Sequence, residues 1–131
     1  MIRKPPGGVS RILIVEDNRD TADTTAMLLR MHGYDVAVVY DGRSAIQTAK
    51  GYDPDVILMD LSLPDIDGYA VAENLRKDGL DRASFIAVSG YCPDEQEWIG
   101  SGFSDHLQKP VGKDVLVSLL ERVDAAKACT M

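Results

Sequence analysis

The 131-residue chain lacks long apolar runs, since no stretch approaches the ~18 consecutive apolar residues of a transmembrane helix. It also lacks the basic start, apolar stretch and small-residue cleavage site of a secretion signal. Basic residues are in deficit, because 14 lysine and arginine side chains face 21 acidic ones and leave a net charge of −7. We therefore expect a cytoplasmic protein in which this domain binds neither membrane nor nucleic acid.

Cysteine is scarce as well. Cys92 and Cys129 are too few for a disulfide framework, and we expect both to be thiols in a reducing compartment. The remaining composition, with 45% hydrophobic and 27% charged residues, is ordinary for a soluble globular domain. The length suits one such domain.

Short apolar runs alternate with amphipathic segments along most of the chain. Predicted strands lie at 12–15, 36–39, 56–59, 85–88 and 105–108, and predicted helices at 21–31, 44–50, 69–77, 94–99 and 114–123. This alternation predicts an α/β fold, a doubly wound parallel sheet with helices on both faces. The expected boundaries are a linker or tail at 1–9, a single domain at 10–124 and a C-terminal tail at 125–131.

Polar side chains stand where the predicted strands end. Glu16 and Asp17 follow the first strand, and Asp60, Ser89 and Lys109 close later ones. Because ligands of open α/β sheets bind beyond the carboxyl ends of the strands, we expect these groups at one edge. Crowded carboxylates repel unless a cation offsets them, and Mg²⁺ prefers oxygen ligands.

Each acid also has a purely structural explanation. Asp17 and Asn18 precede a predicted helix, as N-cap residues do. Asp60 is harder to explain in this way, because a buried strand has no structural reason to end in an unpaired acid.

Four short motifs carry a resemblance. They are Ile14–Asn18, Met59–Gly68, Val88–Gly90 and Lys109–Pro110, at successive strand ends. In this order they resemble the receiver domain of response regulators in two-component signalling, over roughly 10–124. The resemblance implies a flavodoxin-like (βα)5 fold and an aspartate that takes a phosphoryl group from a phosphohistidine donor.

The resemblance also assigns roles at the site. Asp60 would be the phosphoryl acceptor, and Glu16 and Asp17 would hold Mg²⁺ together with the backbone carbonyl of Ser62. Ser89 would hydrogen-bond the phosphoryl group.

Lys109 would pair with the phosphoryl group and precede a cis peptide bond at Pro110. Receivers usually carry Tyr or Phe where this chain has His106, which is either a partly exposed histidine of an edge strand or a switch side chain that titrates near neutrality. Gly90 leaves room for the donor to approach. The bulky Tyr91 either lengthens the life of the phosphoryl group or packs on the next helix.

The resemblance implies a switch rather than a turnover enzyme. Its donor would be a histidine kinase or a histidine phosphotransfer protein, since the chain has two histidines, neither in a kinase-like setting, and no nucleotide-binding glycine loop. Local similarity favours the receiver of a hybrid sensor kinase, with a stand-alone response regulator as the alternative. The output face, and a candidate dimer face, would be 94–123.

Two alternatives come from other functional classes. One is a Mg²⁺-dependent phosphatase that works through an aspartyl phosphate, although such enzymes usually carry two aspartates flanking one residue after the first strand. The other is a degenerate receiver that only binds a partner, against which the intact Asp60, Ser89 and Lys109 argue.

Overall fold

Ten elements alternate along the part of the chain that the computed structural model describes, which is residues 11–80, 82–91 and 93–129, with side chains through 126. The strands are β1 (Arg11–Val15), β2 (Asp35–Val39), β3 (Val56–Asp60), β4 (Ser84–Ser89) and β5 (Asp105–Gln108). The helices are α1 (Arg19–Met31), α2 (Gly42–Tyr52), α3 (Gly68–Lys77), α4 (Glu95–Gly100) and α5 (Lys113–Cys129). The tail expected at 1–9, Cys92 and the Cys129 side chain lie outside the described residues.

The five strands form one parallel sheet in the order β2-β1-β3-β4-β5. The chain runs outward from β1 to β2 and then returns past β1 to β3. The carboxyl ends of β1 and β3 therefore flank the point where the strand order reverses, which is where open α/β sheets bind ligands. The predicted doubly wound sheet and the implied flavodoxin-like (βα)5 fold are confirmed.

Helices cover both faces of the sheet, because successive side chains of a strand point to opposite sides. In β1, Leu13 and Val15 belong to the cluster that includes residues of α2 and α3, whereas Ile12 and Ile14 belong to the cluster with α1 and α5. Both faces are thus packed, which explains why the central strands β1 and β3 carry continuous apolar runs rather than alternating ones.

Short polar side chains begin four of the helices. Asn18, Asp41, Asp67 and Asp94 each accept a hydrogen bond from a backbone N–H of the following helix. The N-cap of α1 is Asn18 and not Asp17. Helix capping therefore accounts for Asn18 but not for Asp17, which lies at the edge of the sheet.

Helix α5 differs most from the expectation. The apolar pattern predicted 114–123, but the helix runs to Cys129 and so passes the boundary expected at 124. The added residues include Ala125 and Ala126, which favour helix without contributing to an apolar face. Among the described residues, no helix has both the length and the apolar content that crossing a bilayer requires.

Candidate functional site

Three polar residues are buried at the carboxyl edge of the sheet. Within the described part of the chain, no other polar or charged residue is buried. Glu16 follows β1 and is 5% exposed, Asp60 ends β3 and is 2% exposed, and Ser89 ends β4 and is fully buried. Asp17 lies beside them and is exposed. The edge therefore gathers the residues expected there, since parallel strands end on the same side.

Lys109 joins two of these acids. Its Nζ lies 2.9 Å from Asp60 Oδ2 and 2.6 Å from Glu16 Oε1, so one ammonium group serves the ends of two neighbouring strands. Burial lowers the pKa of Lys109, but hydrogen bonds to the two carboxylates outweigh it, and the net pKa is raised. Lys109 is therefore a cation at neutral pH.

The surroundings of Glu16 shift its pKa. Burial raises its pKa, the Lys109 ammonium and the Asn18 N–H lower it, and the neighbouring Asp60 carboxylate raises it again, with a net rise. Two carboxyl groups share one lysine ammonium in a partly desolvated place, and a further cation would favour the charged form of both.

Backbone N–H groups complete the hydrogen bonding of both acids. The Ser62 N–H donates to Asp60 Oδ1 at 2.9 Å, and the Asn18 N–H donates to Glu16 Oε2 at 3.0 Å. The loop after β3 returns closely over Asp60, because a Cβ at Gly68 would lie 2.6 Å from the Asp60 carbonyl oxygen. Glycine is required at this position for the loop to close.

The donor set fits a hard divalent cation. One carboxylate oxygen from each of Glu16, Asp17 and Asp60 lies within 4.8 Å of the others. Oxygen ligands at this spacing suit Mg²⁺, which keeps several of its waters. The backbone N–H of Ser62 donates to the Asp60 carboxylate. Ser62, the fourth residue expected to bind the metal, therefore also lies at the site.

Ser89 connects the site to α4. Its hydroxyl donates to the Tyr91 carbonyl at 2.5 Å, and its Oγ lies 2.9 Å from His106 Nε2. Because a hydroxyl has one proton, which goes to Tyr91, we assign the second bond to donation from the Nε2–H of His106. The His106 ring stacks on Trp98 with centroids 6.2 Å apart. Burial lowers the pKa of His106.

The remaining expected positions lie in two loops. The Lys109–Pro110 peptide bond is cis, as the resemblance implies. Gly90 is exposed, and a side chain there would meet nothing within 4 Å. The Tyr91 side chain is 47% exposed, so it is not packed into the core.

Two contacts were missed by the sequence analysis. The Asn18 N–H bond to Glu16 follows a common short-range pattern, in which an acidic side chain accepts from a backbone two residues ahead. The stacking of Trp98 on His106 joins a helix to an edge strand, and no local pattern indicates it.

Comparisons with known proteins agree with this geometry. The family model described as the response regulator receiver domain matches residues 12–121. The cell cycle response regulator CtrA of Brucella ovis is 31% identical over 115 residues, which are 86% of this chain and 49% of that protein. The chain thus spans about half the length of the curated relatives it matches.

Solved structures show the same fold. A CheY-like response regulator receiver domain protein from Methanospirillum hungatei is 27% identical with a TM-score of 0.81, covering 92% of this chain and 98% of that one. The receiver domain of a sensor histidine kinase from Pseudomonas aeruginosa is 32% identical with a TM-score of 0.80, covering 89% and 98%. That structure has a magnesium ion coordinated in its active site cleft. From its residues 12–121 and its fold, the chain belongs to the response regulator receiver domain family of two-component signalling.

Proposed function

We propose that this receiver domain is a Mg²⁺-dependent phosphoacceptor in which Asp60 takes a phosphoryl group from a phosphohistidine. The observation that carries the proposal is the state of the Asp60 carboxylate. It is 2% exposed, it accepts from Lys109 Nζ and from the Ser62 N–H, and it lies beside two further carboxylates. A buried acid so held is suited to reaction rather than to packing.

Asp60 supplies the nucleophile. One carboxylate oxygen attacks phosphorus, a P–O bond forms as the P–N bond breaks, and the donor imidazole leaves with the electron pair and takes a proton from solvent. Charge spreads over the phosphoryl oxygens, and the Lys109 ammonium next to Asp60 stabilises it. Mg²⁺ held by Glu16, Asp17, Asp60 and the Ser62 carbonyl would neutralise more of that charge.

The product is an acyl phosphate, which water hydrolyses, and the domain therefore works as a switch rather than a turnover enzyme. We propose that the Ser89 hydroxyl leaves the Tyr91 carbonyl to donate to the phosphoryl group. His106 touches Ser89 and stacks on Trp98 of α4, so a movement of Ser89 reaches that helix. The output face is proposed at 94–123, where Ile99 is exposed.

The phosphoryl donor is proposed to be a histidine kinase or a histidine phosphotransfer protein. His106 is engaged with Ser89, and His32 ends α1, which starts at the carboxyl edge and so carries His32 to the opposite edge of the sheet. A cleft of about 300 Å³ between α1 and α5 reaches Glu16, Asp60 and Lys109 and gives a donor access. We place this exchange in the cytoplasm.

The wider protein is proposed to be a hybrid sensor kinase. The 32% identity to the receiver of a sensor histidine kinase supports this origin. A response regulator, alone or with an output domain, is the alternative, and the similarity to CtrA supports it equally directly.

One experiment tests the phosphoacceptor. The protein is incubated with Mg²⁺ and acetyl phosphate, and its intact mass is measured. In a parallel experiment beryllofluoride, a non-hydrolysable substitute for the phosphoryl group, is added and its binding is followed by NMR. We expect one phosphoryl group per chain, and none in Asp60→Asn. Asp53→Asn is the matched control, because Asp53 is an exposed acid in a left-handed conformation that asparagine tolerates.

The outcomes separate the candidate functions. Stoichiometric modification that survives Asp60→Asn would remove the proposal. Steady release of phosphate from small esters at many turnovers would favour the phosphatase, and no response to either reagent would favour a binding module.

A further inference from the structure

The Asp65 carboxylate joins the loop after β3 to a different element. Its Oδ1 accepts from the Gly42 N–H at 2.8 Å, and its Oδ2 accepts from the Arg43 N–H at 3.0 Å. Both donors belong to the first turn of α2, more than twenty residues earlier in the chain. A single exposed side chain thus ties two segments that the sequence keeps apart.

The start of α2 is suited to this role. The first N–H groups of a helix have no intrahelical partner, and the helix dipole favours negative charge there. Asp41 satisfies the Ser44 N–H, while Asp65 satisfies those of Gly42 and Arg43. The hydrogen bond from Gly42 above all, with those from Arg43 and Ile66, lowers the pKa of Asp65 against the effect of desolvation.

Gly42 allows α2 to lie close to the loop. We call the two hydrogen bonds from Gly42 and Arg43 to the Asp65 carboxylate the tether. A Cβ at Gly42 would lie 2.8 Å from Val71 Cγ2 and 3.1 Å from Ile66 Cβ. The first distance is shorter than real Cβ atoms show and the second is tighter than most, so a larger residue at Gly42 would require Val71, Ile66 or α2 to shift. The glycine allows the contact, and the Asp65 carboxylate fixes it.

The same loop carries backbone groups of the phosphoacceptor site. The Leu61 N–H donates to the Val88 carbonyl at 3.0 Å, and the Ser62 N–H donates to Asp60 Oδ1 at 2.9 Å. These bonds hold the start of the loop, and the Asp65 carboxylate holds its outer part against α2. The position of Ser62 is therefore bounded on one side by β4 and on the other by α2.

We propose that Asp65 is a positioning residue of the phosphoacceptor site, which holds the loop 61–67 against α2 and thereby sets the affinity for Mg²⁺. The inference rests on the proposed function, since it needs the Ser62 carbonyl as a metal ligand. Asp65 itself contacts neither the acceptor nor the metal, and it acts through the backbone between Ser62 and Ile66.

The test is the dissociation constant of Mg²⁺, measured by titration calorimetry on the full chain well below its melting temperature. We expect Asp65→Ala to weaken Mg²⁺ binding about ten-fold, the lower end of the range for residues that orient metal ligands. Asp65→Asn keeps one acceptor oxygen, and its Mg²⁺ affinity should lie between those of the wild type and Asp65→Ala. At saturating Mg²⁺, the variants should still reach one phosphoryl group per chain.

Asp41→Ala is the matched control. It removes an equal charge and a hydrogen bond from the same end of α2 but leaves the tether in place, so its Mg²⁺ affinity should match the wild type. Thermal unfolding of each variant separates stability from affinity, and if Asp65→Ala does not fold, Asp65→Asn carries the comparison.

Three results would overturn the inference. Unchanged Mg²⁺ affinity in Asp65→Ala with a lowered melting temperature would make Asp65 a stabilising residue only. Equal weakening in Asp41→Ala would assign the effect to charge or to helix stability. A wild-type chain that binds no Mg²⁺ would contradict the proposed function, and this inference with it. The first two results would contradict only the inference and leave the proposed function intact.

Discussion

Ser89 is the residue whose hydrogen bonding would have to change in the proposed switch. In the described state its single hydroxyl proton goes to the Tyr91 carbonyl at 2.5 Å. To donate to a phosphoryl group, Ser89 must give up this bond, and the Tyr91 carbonyl then needs another donor or water. The resting state is thus stabilised by a bond that the proposed active state cannot keep.

His106 is expected to make stability depend on pH. Burial lowers its pKa below the ordinary 6.5, so the unfolded chain binds this proton more readily than the folded one. Well above pH 6.5 the histidine is neutral in both states, and its effect is absent; as pH falls through 6.5, the free energy of unfolding decreases until the folded pKa is passed.

The measurement is urea unfolding of the wild type and His106→Phe from pH 5 to 8. Phenylalanine retains an aromatic ring beside Trp98 but cannot titrate. The difference in free energy of unfolding should be constant above pH 6.5 and change in favour of the variant below it. A constant difference over the whole range would contradict the prediction. Activation by beryllofluoride should be pH-sensitive in the same window.

Tyr91 is expected to prolong the phosphorylated state. Its half-exposed ring stands in the loop after Ser89, and desolvation above all, followed by the charges of Glu97, Asp67 and Asp60, raises the pKa of Tyr91. We expect a ring at this position to obstruct an attacking water. Tyr91→Ala should shorten the half-life of the acyl phosphate several-fold, which decay of the phosphorylated mass after donor removal would measure. An unchanged half-life would leave Tyr91 without this role.

At the scale of elements, α5 owes its place to one apolar face. Leu116, Leu119 and Leu120 belong to the buried cluster that also contains residues of α1 and β1, and Leu120 is fully buried. The helix is held by this packing, since its exposed side includes polar residues such as Asp114, Ser118 and Glu121, which contribute little to burial.

Leu120→Ala should therefore lower the free energy of unfolding by about 2–5 kcal/mol, from lost burial and the cavity left behind. Urea denaturation measures it. The control is Val115→Ala in the same helix, which is 56% exposed and should cost little. Equal losses in the two variants would show that the buried face does not decide the stability of α5.

At the scale of the whole molecule, the sheet and the acid cluster follow from sequence because both depend on local patterns. Runs such as 12–15 and 56–59 mark strands buried on both faces, and polar residues that follow them fall at one edge by topology alone. Glu16, Asp60 and Ser89 were placed at this edge in this way, and in the structure they lie there.

Other features depend on contacts between distant segments. The Asp65 bonds to α2 and the stacking of Trp98 on His106 leave no periodic signal, because each is decided by which elements are neighbours in the fold. The face at 94–123 exposes Ile99 and Val115. Pairing of two copies there stays a prediction, for sedimentation of the beryllofluoride form to test.

Trp98 is the one tryptophan of the chain. Its indole stacks on the imidazole of His106, and that imidazole lies at hydrogen-bond distance from Ser89. Indole emission is sensitive to the group stacked on it, so the molecule carries an intrinsic fluorophore two contacts away from Ser89, the residue proposed to rearrange on phosphorylation. Switching should be visible in real time as a change in ultraviolet emission, without any attached dye.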